Sequence, residues 1–375
     1  MSSPRLQDLA PSRHILRTVF GDIQPTKIDV LVQTFETCTF SAHFAGESKY
    51  GTCDLLVRLD SASGQLEQAS AMQQLAHLSI PRLVPKIFKV GCLTDVNGQK
   101  VEFSVMEFIN GTVTLESIWQ DLEDGQQAVL MGSIVDAMKE IQSLRLEDEA
   151  VKKVLSKTPF SHTMDGNSIP VADGPQLGYV ENAADLFAAL IKENNPKSPT
   201  SSIKTSPSGD GFILTSTYDG LSQLKIPSDI LKDLQGRFVF CHNDLEPRNI
   251  LVRSVPALDD AVKSYKLAAI IDWEMAGFYP FAYEYCLKDH VLGSSNLQFS
   301  WYTLFKEHTR LLLPAHESTE TVIQAVDIIM SSRRKRLARN VGILVRERWI
   351  IREKLIKGSD LRDGWVRRAD AGSID

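Results

Sequence analysis

The stretch that decides the fold runs from residue 240 to residue 252 and reads Phe-Cys-His-Asn-Asp-Leu-Glu-Pro-Arg-Asn-Ile-Leu-Val. The apolar residues at 238–241 and 250–252 are typical of short strands. The polar residues between them predict a loop that the two strands hold on a rigid support. Because Asp and Asn are also common turn formers, the loop by itself leaves a purely structural interpretation open.

A second signal follows along the chain. Residues 267–271 (Leu-Ala-Ala-Ile-Ile) predict another apolar strand, and Asp272 comes directly after it. The spacing of His242, Asp244 and Asn249 is that of a kinase catalytic loop. An acid at the end of a later strand is where a kinase places its second metal ligand.

Together these residues predict a centre for phosphoryl transfer. That reaction needs an aligned nucleophile, metal ions on the phosphates and neutralised charge. Asp244 would accept or orient the proton of a substrate hydroxyl. Asn249 and Asp272 would offer hard oxygen ligands to Mg2+ on the phosphates of ATP. We expect His242 to brace the loop by hydrogen bonds.

The composition limits the class of protein. The chain has 375 residues and a formal net charge of −6, which argues against a dedicated nucleic-acid binder. Its five cysteines are dispersed and form no Cys-x-x-Cys pair, which is typical of reduced thiols in the cytoplasm. No run approaches the roughly 20 apolar residues of a membrane span.

The chain changes character near residue 110. The predicted strands of the first part lie at 28–32, 40–44, 55–59, 86–91 and 101–109. A helix is predicted at 66–78, and a longer helix at 129–146 begins the second part. Residues 194–211 are rich in Pro, Ser and Gly and predict a mobile loop or an insertion within the second part. The basic stretch at 331–368 suits either a solvated helix face or a site for an anionic partner.

From residue 28 to residue 290 the chain resembles the aminoglycoside phosphotransferase and choline kinase superfamily of small-molecule kinases. The segment Cys-His-Asn-Asp-Leu at 241–245 is similar to choline kinases. The loop as a whole, with Ile-Asp-Trp-Glu-Met-Ala-Gly-Phe-Tyr-Pro at 271–280, is more similar to the aminoglycoside phosphotransferase branch and its fungal members of undefined substrate. The resemblance implies an α+β, two-lobed protein-kinase-like fold. A small antiparallel-sheet N-lobe would precede a larger, mainly helical C-lobe.

The resemblance also implies which lobe binds nucleotide and which carries catalysis. The N-lobe, residues 1–109, would bind nucleotide, and the C-lobe, residues 110–375, would carry catalysis and bind the substrate. Met106 would line the adenine pocket. Backbone groups of Glu107 and Ile109 would hydrogen-bond the base.

Two departures from the family pattern concern the nucleotide lobe. The family usually places a lysine against the ATP phosphates, where this chain has Arg58, a cation of different geometry. Its helix partner would be Glu67, although Gln68 fits the spacing about as well. The phosphate-covering loop near residues 33–40 contains no glycine, so its backbone approaches phosphates less freely.

The sequence therefore predicts a cytoplasmic, ATP- and Mg2+-dependent phosphotransferase that acts on an alcohol group of a small molecule. Neither nucleic acid nor a membrane is an expected partner, and the oligomeric state stays open. A catalytically silent relative that binds nucleotide or a partner is the alternative. A protein kinase is disfavoured because no Gly-x-Gly-x-x-Gly loop and no later Ala-Pro-Glu segment is present. Glu284 is expected near the substrate pocket.

Overall fold

The computed structural model of the protein describes residues 8–61, 65–96, 98–157, 169–170, 179–194, 200–218, 220–221, 223–255, 264–291, 296 and 298–341. The basic stretch predicted at 331–368 lies outside the described residues from position 342 onward.

An antiparallel sheet with two helices forms the first part of the described chain. Its strands are β1 (Lys27–Gln33), β2 (Thr37–His43), β3 (Asp54–Ser61), β4 (Ile87–Thr94) and β5 (Lys100–Glu107), and its helices are α1 (Arg13–Phe20) and α2 (Gln65–Ser79). The strands pair in the order β1-β2-β3-β5-β4. Successive side chains of a strand point to opposite faces. In β3 this alternation buries Leu55, Val57 and Leu59 completely and sends Arg58 and Asp60 to the other face.

Helices and short strands alternate in the second part. The helices are α3 (Asp124–Ile141), α4 (Glu149–Leu155), α5 (Ala183–Asn194), α6 (Ser228–Gln235), α7 (Phe281–Val291), α8 (Phe299–Thr309) and α9 (Glu317–Val341). The strands are β6 (Val113–Thr114), β7 (Ile169–Pro170), β8 (Tyr179–Val180), β9 (Ser201–Thr205), β10 (Phe212–Ser216), β11 (Leu224–Ile226), β12 (Phe238–Cys241), β13 (Ile250–Val255), β14 (Ser264–Ile270) and β15 (Gly277–Pro280). The predicted α+β class, with a small antiparallel sheet before a mainly helical part, is confirmed.

Two hydrophobic cores divide the described residues. The smaller core lies between α1 and the five-stranded sheet, with Phe20, Phe40 and Phe103 among its members. The larger core fills the second part and also includes Met72 and Leu75 of α2. Helix α2 therefore belongs by its chain position to the sheet and by its packing to the helical part. Because α2 packs in the core of the second part, it holds the sheet at a set distance from that part.

The prediction of a mobile loop or insertion at 194–211 is wrong for residues 201–205. Residues 201–205 form β9, which pairs with β10, and β10 pairs in turn with β11. Backbone hydrogen bonds, which composition does not reveal, order this Ser- and Thr-rich strand. Residues 195–199 lie outside the described residues.

The predicted helix at 129–146 begins earlier than expected. Helix α3 starts at Asp124 because Gln127 is buried and its Nε2 donates to the carbonyl of Trp119 at 2.8 Å. A buried amide with a tertiary partner is invisible to a search for apolar periodicity. The C-terminal end also differs, since the helix stops at Ile141 while Leu144 is buried beyond it.

The turn between β9 and β10 makes a testable demand on one glycine. Gly211 has φ +74° and packs its Cα against the carbonyl of Ile226, where an added Cβ would collide with backbone. We predict that Gly211→Ala lowers the free energy of unfolding by about 3 kcal/mol through strain and overpacking. Gly209 has φ +73° but open space around its Cα. The control Gly209→Ala should therefore cost only about 1 kcal/mol, the strain term alone. Urea unfolding measures both, and equal losses would contradict the collision.

Candidate active site

The loop 242–249 connects β12 to β13. Strand β12 pairs with β15, and β13 pairs with β14 on one side and β6 on the other. The loop is therefore held at each end by a paired strand, as the apolar residues at 238–241 and 250–252 predicted. Asn243 has a left-handed φ of 63°, which Asn tolerates better than most residues, and its Nδ2 donates to the carbonyl of Met275 at 2.9 Å.

The Asp244 carboxylate is held by two side chains of its own loop. Nη2 of Arg248 donates to both carboxylate oxygens, at 2.6 and 2.7 Å. Nδ2 of Asn249 donates to Oδ2 of Asp244 and to its backbone carbonyl, both at 2.8 Å. Since both of these partners are acceptors, the amide nitrogen of Asn249 must face them. Its Oδ1 is consequently turned away from Asp244 and is available as an oxygen ligand.

Asp272 follows β14 and lies beside the loop. Its φ of 65° is left-handed, a strained conformation for a residue other than glycine. The preceding residue, Ile271, donates its N–H to the carbonyl of Asn249 at 2.9 Å. The Ile271 carbonyl lies 3.0 Å from Nε2 of His242. The two predicted motifs, which lie apart in sequence, are thus joined through one residue.

His242 is fully buried, as a bracing role requires. Its Nδ1 accepts the N–H of Asp244 at 3.3 Å while Nε2 faces the Ile271 carbonyl. Only the neutral ring with its proton on Nε2 satisfies both contacts. Burial away from water lowers the pKa of His242 to about 4.

A cavity of about 650 Å3 lies between the sheet and the second part, directly beside this loop. Its wall includes Met106, Glu107 and Ile109, whose binding of adenine stays a prediction, together with Asn249 and Asp272. Only part of the predicted base-binding backbone is open to a ligand. The N–H of Glu107 already donates to the carbonyl of Lys86 at 2.9 Å, so its carbonyl alone could serve a base.

Arg58 projects from β3 into the same cavity and is held by three acids. Its Nε donates to Oδ2 of Asp60 at 3.0 Å, and its Nη2 donates to Oε2 of Glu274 at 3.0 Å. Its Nη1 lies 3.8 Å from Oδ1 of Asp272. Asp60 was missed by the sequence reasoning, although the alternation of a strand places residues 58 and 60 on one face.

The predicted partnership of Arg58 with Glu67 is wrong. Glu67 is exposed and lines a separate groove with Lys89 and Lys157. The neighbouring Gln68, which fitted the spacing as well, is buried and lies on the Arg58 side of α2. Buried residues occur on every side of this helix, so periodicity did not indicate which face meets the cavity.

Ser104 is a second polar residue that the sequence reasoning missed. Its side chain is fully buried and lines the cavity. Its hydroxyl has no hydrogen-bond partner among the described residues. A buried hydroxyl without a partner is unfavourable unless a ligand or water completes it. Its position in an apolar stretch of β5 gave no sequence signal.

Glu284 lies against the catalytic loop, and its expected place near the substrate pocket stays a prediction. It lies on α7, is 1% exposed, and accepts the backbone N–H of His242 with Oε2 at 3.2 Å. It therefore supports the loop from beneath. The resemblance placed it close to the site in sequence, but only packing shows on which side of the loop it lies.

The donor set suits a magnesium ion that keeps several waters. Among the described residues, no three Asp, Glu, His or Cys side chains cluster so as to hold a metal by themselves. Magnesium, however, uses one or two carboxylates together with substrate phosphates. Burial, and then the neighbouring carboxylate of Glu274, raise the pKa of Asp272 to about 6. These two neighbouring carboxylates at the cavity, with Oδ1 of Asn249 turned away from Asp244, fit a divalent cation.

A family model matches the segment that contains this site. The model of the phosphotransferase enzyme family (APH) matches residues 217–287, which contain the loop and Asp272. The site lies in a phosphotransferase-like segment. The resemblance predicted from the sequence is thereby confirmed for this part of the chain, and it supports a phosphotransferase. No curated protein matches the chain.

Several solved structures are similar to the chain. One is a thermostable mutant of aminoglycoside phosphotransferase APH(4)-Ia, with 13% identity over 88% of this chain and 100% of that chain, at a TM-score of 0.48. A GDP complex of an aminoglycoside 2'-phosphotransferase mutant has 14% identity over 86% and 90%, at 0.42. The macrolide 2'-phosphotransferase MphH from Brachybacterium faecium has 12% identity over 92% and 97%, at 0.39. TM-scores below 0.5 establish nothing further about this chain.

No helix within the described residues is long and apolar enough to cross a membrane.

The buried state of His242 predicts how stability depends on pH. The unfolded chain titrates this ring near pH 6.5, whereas the folded protein resists protonation down to about pH 4. The unfolded state thus binds more protons between these values. Stability from this group is complete above pH 6.5 and is lost as the pH falls toward 4, by about 3 kcal/mol in total.

Urea unfolding from pH 7.5 to pH 4 measures this loss. His242→Gln should flatten the pH dependence in that window, because the amide can still donate to Ile271 without titrating. His14→Gln, on an exposed part of α1, is the control and should leave the slope unchanged. An unaltered slope in His242→Gln would show that another group is responsible.

Proposed function

We propose that this protein is a small-molecule kinase that transfers the γ-phosphate of ATP, with magnesium, to a hydroxyl group of its substrate. One observation carries the proposal. Hydrogen bonds through Ile271 bring Asn249 and Asp272 to one edge of a cavity between the sheet and the helical part, and Asn249 in turn holds the carboxylate of Asp244. The family match over the same segment supports it.

The cavity suggests how the nucleotide would lie. The base would enter beside Met106 and Ile109, where the wall is largely apolar. The phosphates would then extend toward Arg58 and the edge formed by Asn249 and Asp272. Arg58 would have to share its charge between the phosphates and the acids that now hold it.

The reaction would begin with the acceptor hydroxyl next to Asp244. Its oxygen attacks the γ-phosphorus as the bond from that phosphorus to the leaving ADP oxygen breaks. The hydroxyl proton passes to the Asp244 carboxylate and from there to solvent. Arg248 and Asn249 hold both carboxylate oxygens in place during this step. Magnesium, when bound at Asn249 and Asp272, supplies charge neutralisation of the phosphates.

The division into a nucleotide lobe over residues 1–109 and a catalytic lobe over 110–375 is part of the proposal. The cytoplasmic location is proposed from the cysteines, which are free thiols.

Replacement of the hydroxyl-orienting group tests the proposal directly. We predict that Asp244→Asn lowers turnover by roughly 10²–10⁴-fold, the usual contribution of a positioned acid–base group. ATP affinity should stay near the wild-type value because Asp244 does not line the nucleotide cavity. The measurement is phosphate transfer to a panel of small-molecule alcohols, with Asp136→Asn, at an exposed position of α3, as a control. Near-wild-type turnover in Asp244→Asn would show that Asp244 does not orient the substrate hydroxyl.

The catalytically silent alternative has one observation in its favour. Arg58 contacts both Asp272 and Glu274, and so competes with a metal for the acid proposed to bind it. Thermal unfolding with ATP, with and without Mg2+, separates the two. Metal-dependent stabilisation without phosphate transfer to any alcohol in the panel would favour the silent protein. No effect of nucleotide would count against both.

Arg58 itself yields a second prediction. Arg58→Gln removes a charge-assisted contact to the phosphates, each worth about 1.5–3 kcal/mol, and should weaken ATP binding roughly 10- to 100-fold. Asp60→Asn should weaken it less, since it releases the guanidinium toward Glu274 without removing it. Calorimetric titration with ATP and Mg2+ measures both. Arg82→Gln, which breaks a surface ion pair with Glu140 outside the cavity, is the matched control and should bind ATP normally.

A further inference from the structure

Three ionisable side chains lie beneath the catalytic loop and take no part in the chemistry above it. They are Glu246 on the loop and Glu284 and Lys288 on α7, with exposures of 1%, 1% and 2%. Nζ of Lys288 lies 2.7 Å from Oε1 of Glu246 and donates to the carbonyl of Leu245, also at 2.7 Å. The same ammonium lies 4.8 Å from the ring centroid of Phe305. We call these three side chains the buried triad.

The triad reaches the backbone on both sides of Asp244. Glu284 and Lys288 are one helical turn apart and therefore lie on the same face of α7. Glu284 accepts the N–H of His242, and Lys288 holds the Leu245 carbonyl. Arg248 and Asn249 fix the carboxylate of Asp244 from above, whereas the triad fixes its main chain from below.

Stability does not explain why these charges are buried. A single lysine faces two carboxylates, and burial raises the pKa of both Glu246 and Glu284. Oε2 of Glu246 and Oε1 of Glu284 have no hydrogen-bond partner among the described residues. Removing charges from water costs several kcal/mol each, and apolar side chains of similar volume often serve stability as well or better.

We propose that Lys288, Glu246 and Glu284 are positioning residues that fix the main chain around Asp244 for attack by the acceptor hydroxyl. The inference rests on the proposed kinase function for its catalytic consequence. Displacement of a reacting group by about 1 Å can cost about 10²-fold in rate. Directional hydrogen bonds from a buried ammonium and carboxylate restrict such displacement more than non-directional apolar packing does.

A charge-free replacement separates positioning from stability. In the double variant Glu246→Gln/Lys288→Met both charges of the pair are removed at similar volume. For the double variant we expect a fall in kcat of about 10²-fold and an unchanged KM for ATP. The triple variant with Glu284→Gln, which leaves no buried charge in the triad, should show the same fall in kcat and a melting temperature at or above the wild-type value. It replaces the double variant if that variant does not fold.

The control is an ion pair that joins α8 to α7. Nζ of Lys306 lies 2.9 Å from Oδ2 of Asp289 and donates to the carbonyl of Tyr285 at 3.1 Å. This pair resembles the Lys288 pair in its contacts but does not touch the catalytic loop. Asp289→Asn/Lys306→Met should leave kcat unchanged.

Hydrogen exchange of the peptide covering residues 240–252 tests the positioning independently of activity. In the double variant these amides should exchange at least about tenfold faster than in the wild type, while the control variant leaves them unchanged. If the wild type transfers no phosphate, the kinase proposal fails, yet this measurement still decides whether the triad holds the loop. Wild-type exchange in the double variant would overturn the inference. If the wild-type enzyme is active, a kcat of the double variant equal to the wild-type value would also overturn the inference.

Discussion

The site depends on the peptide groups of a single residue, Ile271. Its N–H is bound by the carbonyl of Asn249, and its carbonyl faces the ring of His242. His242 and Asn249, the first and last residues of the catalytic loop, are thus both hydrogen-bonded to Ile271, the residue before Asp272. Because a hydrogen bond constrains both distance and direction, the two contacts fix the proposed metal ligands against each other. His242 stays neutral because its Nδ1 accepts the N–H of Asp244 while its Nε2 donates to the Ile271 carbonyl.

Charge is distributed unevenly on the two sides of the catalytic loop. On the cavity side, Arg58 is surrounded by Asp60, Asp272 and Glu274, and the acids outnumber the cation. Beneath the loop, Lys288 likewise serves two buried carboxylates. The first imbalance is one that a metal–nucleotide complex would relieve. The second has no access to solvent or ligand, which is why we assign it to holding the main chain in place.

Much of this architecture was predictable because its signals are local. Apolar runs of a few residues predicted the strands on both sides of the loop. The spacing of Asp244, Asn249 and Asp272 indicated the proposed phosphoryl transfer. The cavity wall at Met106 and Ile109 followed from the family resemblance. The tertiary contacts of Arg58 did not follow, because the face that α2 turns to the cavity is set by packing against the second part. That packing turns Gln68, and not Glu67, toward Arg58.

The sequence by itself therefore predicted the fold class, the positions of the first strands along the chain and the residues of the proposed reaction, since each depends on neighbours along the chain. Only the tertiary structure decided that residues 201–205 form a strand, that Asp60 anchors Arg58, and that Glu284 lies under the loop. The physical reason is common to these cases. A strand needs a partner, a buried charge needs a counter-charge, and the identity of both is set by segments that are remote in sequence.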